Sequence, residues 1–181
     1  MCIRDRYNLD IDKANKILDD AGYKKGSDGM RFGLTVDFGW PGLKPNAEYT
    51  KAALKKIGID VTVRASADFP TWAKTVSNHN FDLTWDTVFN WGDPVIGVHR
   101  TYQTSNIKKG VIWSNTQQYS NPKVDAIMEK AGVENNMDKR KALYSELQKM
   151  LANDLPVYWT NTLPLSLIHI DAADEQQRGG G

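Results

Sequence analysis

Residues 30–63 hold the pattern that most narrows the fold. From Met30 to Phe38 apolar residues alternate with others, placing Phe32, Leu34, Val36 and Phe38 on one side, which predicts a strand with one face on a core. Gly39-Trp40-Pro41-Gly42 breaks it. Asn46 is placed to cap a helix whose apolar face is Tyr49, Ala52, Ala53 and Ile57, with Gly58 as its stop. Ile59-Asp60-Val61-Thr62-Val63 follows with no spare residue and alternates again. Two strands joined through a helix by joints this tight are expected to lie parallel, connected by a right-handed crossover. The expected class is α/β.

The flanking segments extend that unit. Asp10 can cap a short helix with Ala14, Ile17, Leu18 and Ala21 at helical spacing, ended by Gly22. Asp68 and Pro70 open another, with Trp72, Ala73 and Val76 along its inner face, and Asn78-His79-Asn80 turns the chain towards a third strand. That strand starts as a short apolar run at Phe81. It then gathers Trp85, Asp86, Asn90 and Trp91 and the turn Gly92-Asp93-Pro94 where the strand must end. In open α/β sheets small molecules bind beyond the carboxyl ends of the strands, where loops present polar groups on a rigid base. Trp85, Asp86, Asn90, Trp91 and Asp93 are therefore candidate ligand-binding residues, with Trp40 at the neighbouring strand end. Taken singly, each Trp reads equally well as core and Asp93-Pro94 as a plain turn; only the clustering points to a site. Val95 to Ser120 shows weak periodicity, and a connection of that length tends to be functional or locally structured. Asn121-Pro122 opens a helix with Val124, Ile127, Met128 and Ala131 inward and Gly132 as the stop. A second runs from about Asp138 to Asn153, with the stripe Ala142, Leu143, Leu147, Met150 and Leu151. Leu155 to Thr160 reads as a final strand.

The chemistry these residues can support is limited. Lys and Arg number 23 against 22 Asp and Glu, giving a net charge of +1 without a basic block, so neither nucleic acid nor an anionic membrane surface is an expected partner. No apolar run is long enough to span a bilayer, and no export signal is expected in the chain as it stands. Cys2 is the only cysteine, and His79 and His99 have no second ligand at helical or hairpin spacing, so no metal and no cofactor are expected. Asp82, Asp86 and Asp93 could supply the carboxylate pair of a carbohydrate hydrolase, although nothing in their spacing fixes a separation. No phosphate-binding glycine loop or nucleophile elbow accompanies them, and no catalytic residue is assigned. Residues 1–6 and 166–181 read as foreign to the rest, resembling translated adaptor sequence, with a polar triple-glycine end; they are set aside from the fold.

With these pieces in order, residues 7 to about 164 resemble the C-terminal part of the extracytoplasmic solute-binding proteins of ABC importers, family 5, the dipeptide, oligopeptide and nickel class. The resemblance is carried by Asp12-Lys13-Ala14 through Leu18 to Tyr23, by Leu54 to Val61, and by Phe81-Asp82-Leu83 with Asp93-Pro94. Ser120-Asn121-Pro122 with Val124-Asp125, and Arg140 to Tyr144 leading into Asp154-Leu155-Pro156, complete it. It implies a two-lobed, type II periplasmic-binding-protein-like fold, incomplete at the N-terminal side. Residues 7–154 would supply the C-terminal lobe and 155–165 a strand returning to the first. It also implies a monomeric, periplasmic or lipid-anchored receptor, not an enzyme, that closes on a peptide-like solute and delivers it to a membrane permease; an oligosaccharide is the alternative solute. In peptide-binding members an Asp just before the Asp-Pro turn receives the ligand amine. Here that position is Asn90, which leaves Asp86 as the charge partner, while Asn90 with Trp85 and Trp91 would also suit a sugar.

Overall fold

Phe32–Phe38 (β1) and Ile59–Ala65 (β2) pair in parallel along their whole length, Phe32 opposite Ile59 and Phe38 opposite Ala65, in a computed structural model that describes residues 9–88 and 92–160. A short third strand, Leu83–Trp85 (β3), runs parallel on the other side of β1, with Val36 opposite Leu83, so the order is β2-β1-β3. The expected parallel unit is formed. Its core is Val36, Phe38, Ala47, Ile59 and Val61, against which Leu18, Leu54, Ile57, Leu83 and Trp85 pack.

The connecting helix departs from expectation in its start and its phase. Lys44–Lys55 (α2) begins before Asn46, with Pro45 in its first turn, and the Asn46 carbonyl accepts from the Thr50 hydroxyl at 2.8 Å within the helix. Its buried residue is Ala47, while Tyr49, expected inward, is 73% exposed. A small side chain at the point of closest approach lets the helix lie against the sheet, and the phenol keeps its hydroxyl in water. The first helix, Ile11–Asp20 (α1), is capped by Asp10 as expected, its carboxylate accepting from the Lys13 N–H at 2.8 Å. It buries no residue fully, and Ile17 lies outside its inward face. A polar network holds it instead. The Arg31 side chain, 1% exposed, donates to Asp19 at 2.6 Å, to the Asn15 side chain at 3.0 Å, to the Ile57 carbonyl at 2.8 Å and to the Tyr23 carbonyl.

Phe69–Ser77 (α3) starts at Asp68, whose carboxylate accepts from the Thr71 N–H at 2.8 Å. Its Trp72 is fully buried and donates its indole N–H to the Thr84 hydroxyl at 3.1 Å. Gly39 packs closely on that ring, where a Cβ would stand 3.3 Å from it. Asp37 on β1 is also fully buried and takes both arms of Arg64 on β2, at 2.8 and 2.9 Å, a fork-to-fork pair that ties the two strands.

The second half is helical. Val98–Tyr102 (α4), Pro122–Val133 (α5) and Met137–Asp154 (α6) enclose a second core of Tyr102, Val124, Met128 and Leu147. Asn121 caps α5 as expected, and Gly132 lies inside that helix rather than ending it. Leu155 takes the left-handed conformation at the end of α6, φ 48°, and the strand expected over 155–165 is not formed in its described part, 155–160. That segment packs through its side chains instead: Val157 lies against the second core and the Trp159 indole N–H donates to the Tyr102 hydroxyl at 2.7 Å.

Candidate functional site

Asp86 follows directly on β3, at the carboxyl end of the sheet, beside the point where the Gly39 N–H reaches across to the Trp85 carbonyl at 3.3 Å. Its carboxylate accepts from the Thr87 N–H at 2.6 Å. Burial pushes its pKa up to about 6, against that hydrogen bond and the indole N–H of Trp113, both of which favour the charged form. Trp113 Nε1 is itself buried and lacks a hydrogen-bond partner in good geometry. Phe69, in the first turn of α3, lies between two tryptophans: its ring centre is 5.4 Å from Trp72 and 5.8 Å from Trp113. Phe69 and Trp113 were missed in the sequence. Trp113 falls in the aperiodic stretch 95–120, where only its size and its loop setting marked it.

The loop carrying Trp113 is built from within. Asn115, fully buried, donates its amide to the carbonyls of Gln103 and Tyr119 at 3.1 and 2.7 Å and accepts from the Tyr119 N–H at 2.9 Å. The Gly110 N–H donates to the Ser77 carbonyl at 2.9 Å, fastening the loop to the end of α3.

The remaining sequence candidates are dispersed. Trp85 is half-buried against the first core and donates its N–H to the Thr50 hydroxyl on α2 at 2.9 Å. Trp40 is half-buried at the head of the single turn Pro41–Leu43. Asn90 and Trp91 lie outside the described residues. Asp93 places both oxygens on Arg140 of α6, at 2.8 and 3.0 Å, and accepts from the Val95 N–H at 2.9 Å; the guanidinium holds its carboxyl below the usual range. Arg140 also donates to the Ala131 carbonyl at 3.0 Å, so one side chain joins the Asp93 turn to the α5–α6 pair.

Asp82 sits at the other end of β3. It accepts from the Thr35 N–H at 2.7 Å and the Thr35 hydroxyl at 2.9 Å, completing the β1 ladder where β3 has not yet begun; those bonds lower its pKa. Asp82 and Asp86 are thus separated by the length of β3, roughly 13 Å at the rise of an extended strand, whereas the two carboxyl groups of a glycosidase stand about 5–9.5 Å apart. A polar hollow of about 320 Å³ beside Asp82, lined by Thr35, Arg64, His79 and Asn80, lies at that opposite end of β3. Among the described residues no group of three His, Cys, Asp or Glu side chains could hold a metal ion.

Comparison with known proteins agrees with this architecture. Protein XP55 of Streptomyces lividans is 29% identical over 153 residues, which are 80% of this chain and 27% of that protein. The periplasmic oligopeptide-binding protein of an oligopeptide ABC transporter from Thermotoga maritima superposes with a TM-score of 0.67 at 25% identity, covering 85% of this chain and 31% of its own. NikZ from Campylobacter jejuni, solved with Ni(L-His), superposes at 0.73 with 23% identity, covering 83% and 31%. The chain therefore spans about 30% of the length of these proteins and has the α/β fold of part of one periplasmic-binding-protein lobe. The model of the middle part of the bacterial extracellular solute-binding proteins, family 5, matches residues 3–109, and the chain belongs to that family.

Proposed function

We propose that this chain is part of the substrate-binding component of an ABC importer, held in the periplasm or anchored outside the membrane, and that Asp86 receives a cationic group of a peptide-like solute. The observation that carries this reading is the state of Asp86: a carboxylate drawn out of water at the carboxyl end of a parallel sheet, with no cation beside it among the described residues. A desolvated carboxylate without a counter-charge is costly, and an ammonium group from a solute relieves that cost through a charge-assisted hydrogen bond. Asn90 and Trp91, close to Asp86 in sequence, are further proposed ligand contacts. Trp85 and Trp40 back the site, and Asp93 with Arg140 fixes the turn that carries it. Capture involves no covalent step: the solute is held between this lobe and another, whose closure is a hinge motion, and is then passed to a permease.

The test is a thermal-shift panel on a chain extended upstream to the length of its relatives, using trialanine, N-acetyl-trialanine and maltotriose. A ligand that binds only the folded protein raises Tm, by an amount corresponding to about 2.7 kcal/mol at a hundredfold excess over Kd. Trialanine is expected to stabilise, the acetylated peptide to do so far less, and Asp86→Asn to remove the difference. Stabilisation by maltotriose alone would replace the peptide with an oligosaccharide, and Asp86 with Asn90 as the deciding residue.

A further inference from the structure

We infer that Trp113 and Phe69 form the apolar wall of the site at Asp86, and that the group bound there is an ammonium carrying an aromatic or other flat apolar substituent; this rests on the reading of Asp86 given above. Three observations converge on Trp113. Its backbone is left-handed, φ 54°, a conformation uncommon for a bulky residue and one that persists where the surroundings enforce it. Those surroundings are the Asn115 network and the Ser114 hydroxyl, which donates to the Val111 carbonyl at 2.8 Å. Its indole N–H is buried without a partner in good geometry, and the acceptor it faces is the Asp86 carboxyl. Its ring lies 5.8 Å from Phe69, tilted by 31°, so the two make a nearly continuous surface.

Phe69 supplies the exposed part of that surface. It is 40% exposed, although it sits in the first turn of a helix whose Trp72 is fully buried beneath it. The Phe69 ring is open to solvent, and Trp113 links it to the Asp86 carboxyl, which has no cation beside it among the described residues. An apolar face beside such a carboxylate matches a ligand with the same two parts: an ammonium to compensate the charge and a flat apolar group to cover the rings, where cation–π attraction adds to burial. A polyhydroxy ligand fits this pairing less well. A hydroxyl can accept from Trp113 and donate to Asp86, yet it leaves the carboxylate charge uncompensated.

The test uses the chain extended upstream to the length of its relatives and three small probes: 2-phenylethylammonium, ethylammonium and 2-phenylethanol, followed through the indole N–H signals of the tryptophans by NMR. 2-Phenylethylammonium is expected to displace the Trp113 signal and to bind about tenfold more tightly than ethylammonium, as burial of a phenyl ring on an aromatic face would give. Phe69→Leu keeps the volume but loses the flat face, and is expected to cut that preference to about twofold. Asp86→Asn is expected to abolish the response to both ammonium probes. Equal binding of the two ammonium ions to the unaltered chain, or a preference that survives Phe69→Leu, would overturn the wall and leave Asp86 as the cation partner. Binding of 2-phenylethanol as tight as that of 2-phenylethylammonium, or no response to either ammonium ion, would instead overturn the reading of Asp86.

Discussion

Asp86 differs from the other shielded or tethered aspartates in what holds it. Asp37 has Arg64, Asp19 has Arg31 and Asp93 has Arg140, whereas Asp86 has the Thr87 N–H and the Trp113 indole and, among the described residues, no cation. A carboxyl raised to about 6 from 3.8 keeps its proton more tightly folded than unfolded, so its contribution to stability is complete below pH 4 and is lost as pH rises through 6. Asp86→Asn is therefore expected to stabilise the chain at pH 7, by up to about 3 kcal/mol for a gap of two pH units, with the advantage vanishing near pH 4. Urea unfolding at pH 4, 5, 6 and 7 reads this directly, and a constant difference across the series would contradict it. Arg64→Ala should act in the opposite direction. It leaves the fully buried Asp37 without its half-exposed guanidinium partner and should lower the unfolding free energy by about 1–3 kcal/mol, the cost of leaving a buried polar group unsatisfied.

At the scale of the element, α3 is the part that couples fold to site. Its cap Asp68 fixes where the helix begins and hence where Phe69 stands beside Trp113. Asp68→Ala is expected to cost about 1 kcal/mol and to weaken binding of 2-phenylethylammonium, because a frayed first turn no longer holds Phe69. Chemical denaturation and the probe titration measure the two effects separately. The caps Asp10, Asp68 and Asn121 and the tight joint at Gly58 were legible in the sequence, because each is settled by neighbours a few residues away. The phase of α2 was not: turning Tyr49 outward and Ala47 inward depends on how near the sheet lies, which no local pattern encodes. Nor could α1 be read as held by Arg31, a residue from another element. For the site, the strand end and Asp86 were visible as a cluster, while Phe69 and Trp113 meet across 44 positions of chain through packing alone.

Over the whole molecule, two cores share one chain: a sheet with α1 and α2, and a helical body built on α4, α5 and α6. The Asp93 to Arg140 pair and the Gly110 to Ser77 bond tie the two parts together. The sheet, in contrast, is narrow. With order β2-β1-β3, the outer side of the seven-residue β2 has no strand against it among the described residues. Backbone donors and acceptors left in a row act as a template for any extended segment that meets them. The 181-residue chain on its own is accordingly expected to associate as concentration rises, seen as a growing sedimentation coefficient, and Thr62→Lys on the exposed face of β2 should suppress it. The same open ladder is a docking rail: a polypeptide that pairs with β2 adds hydrogen bonds along the length of the strand at once.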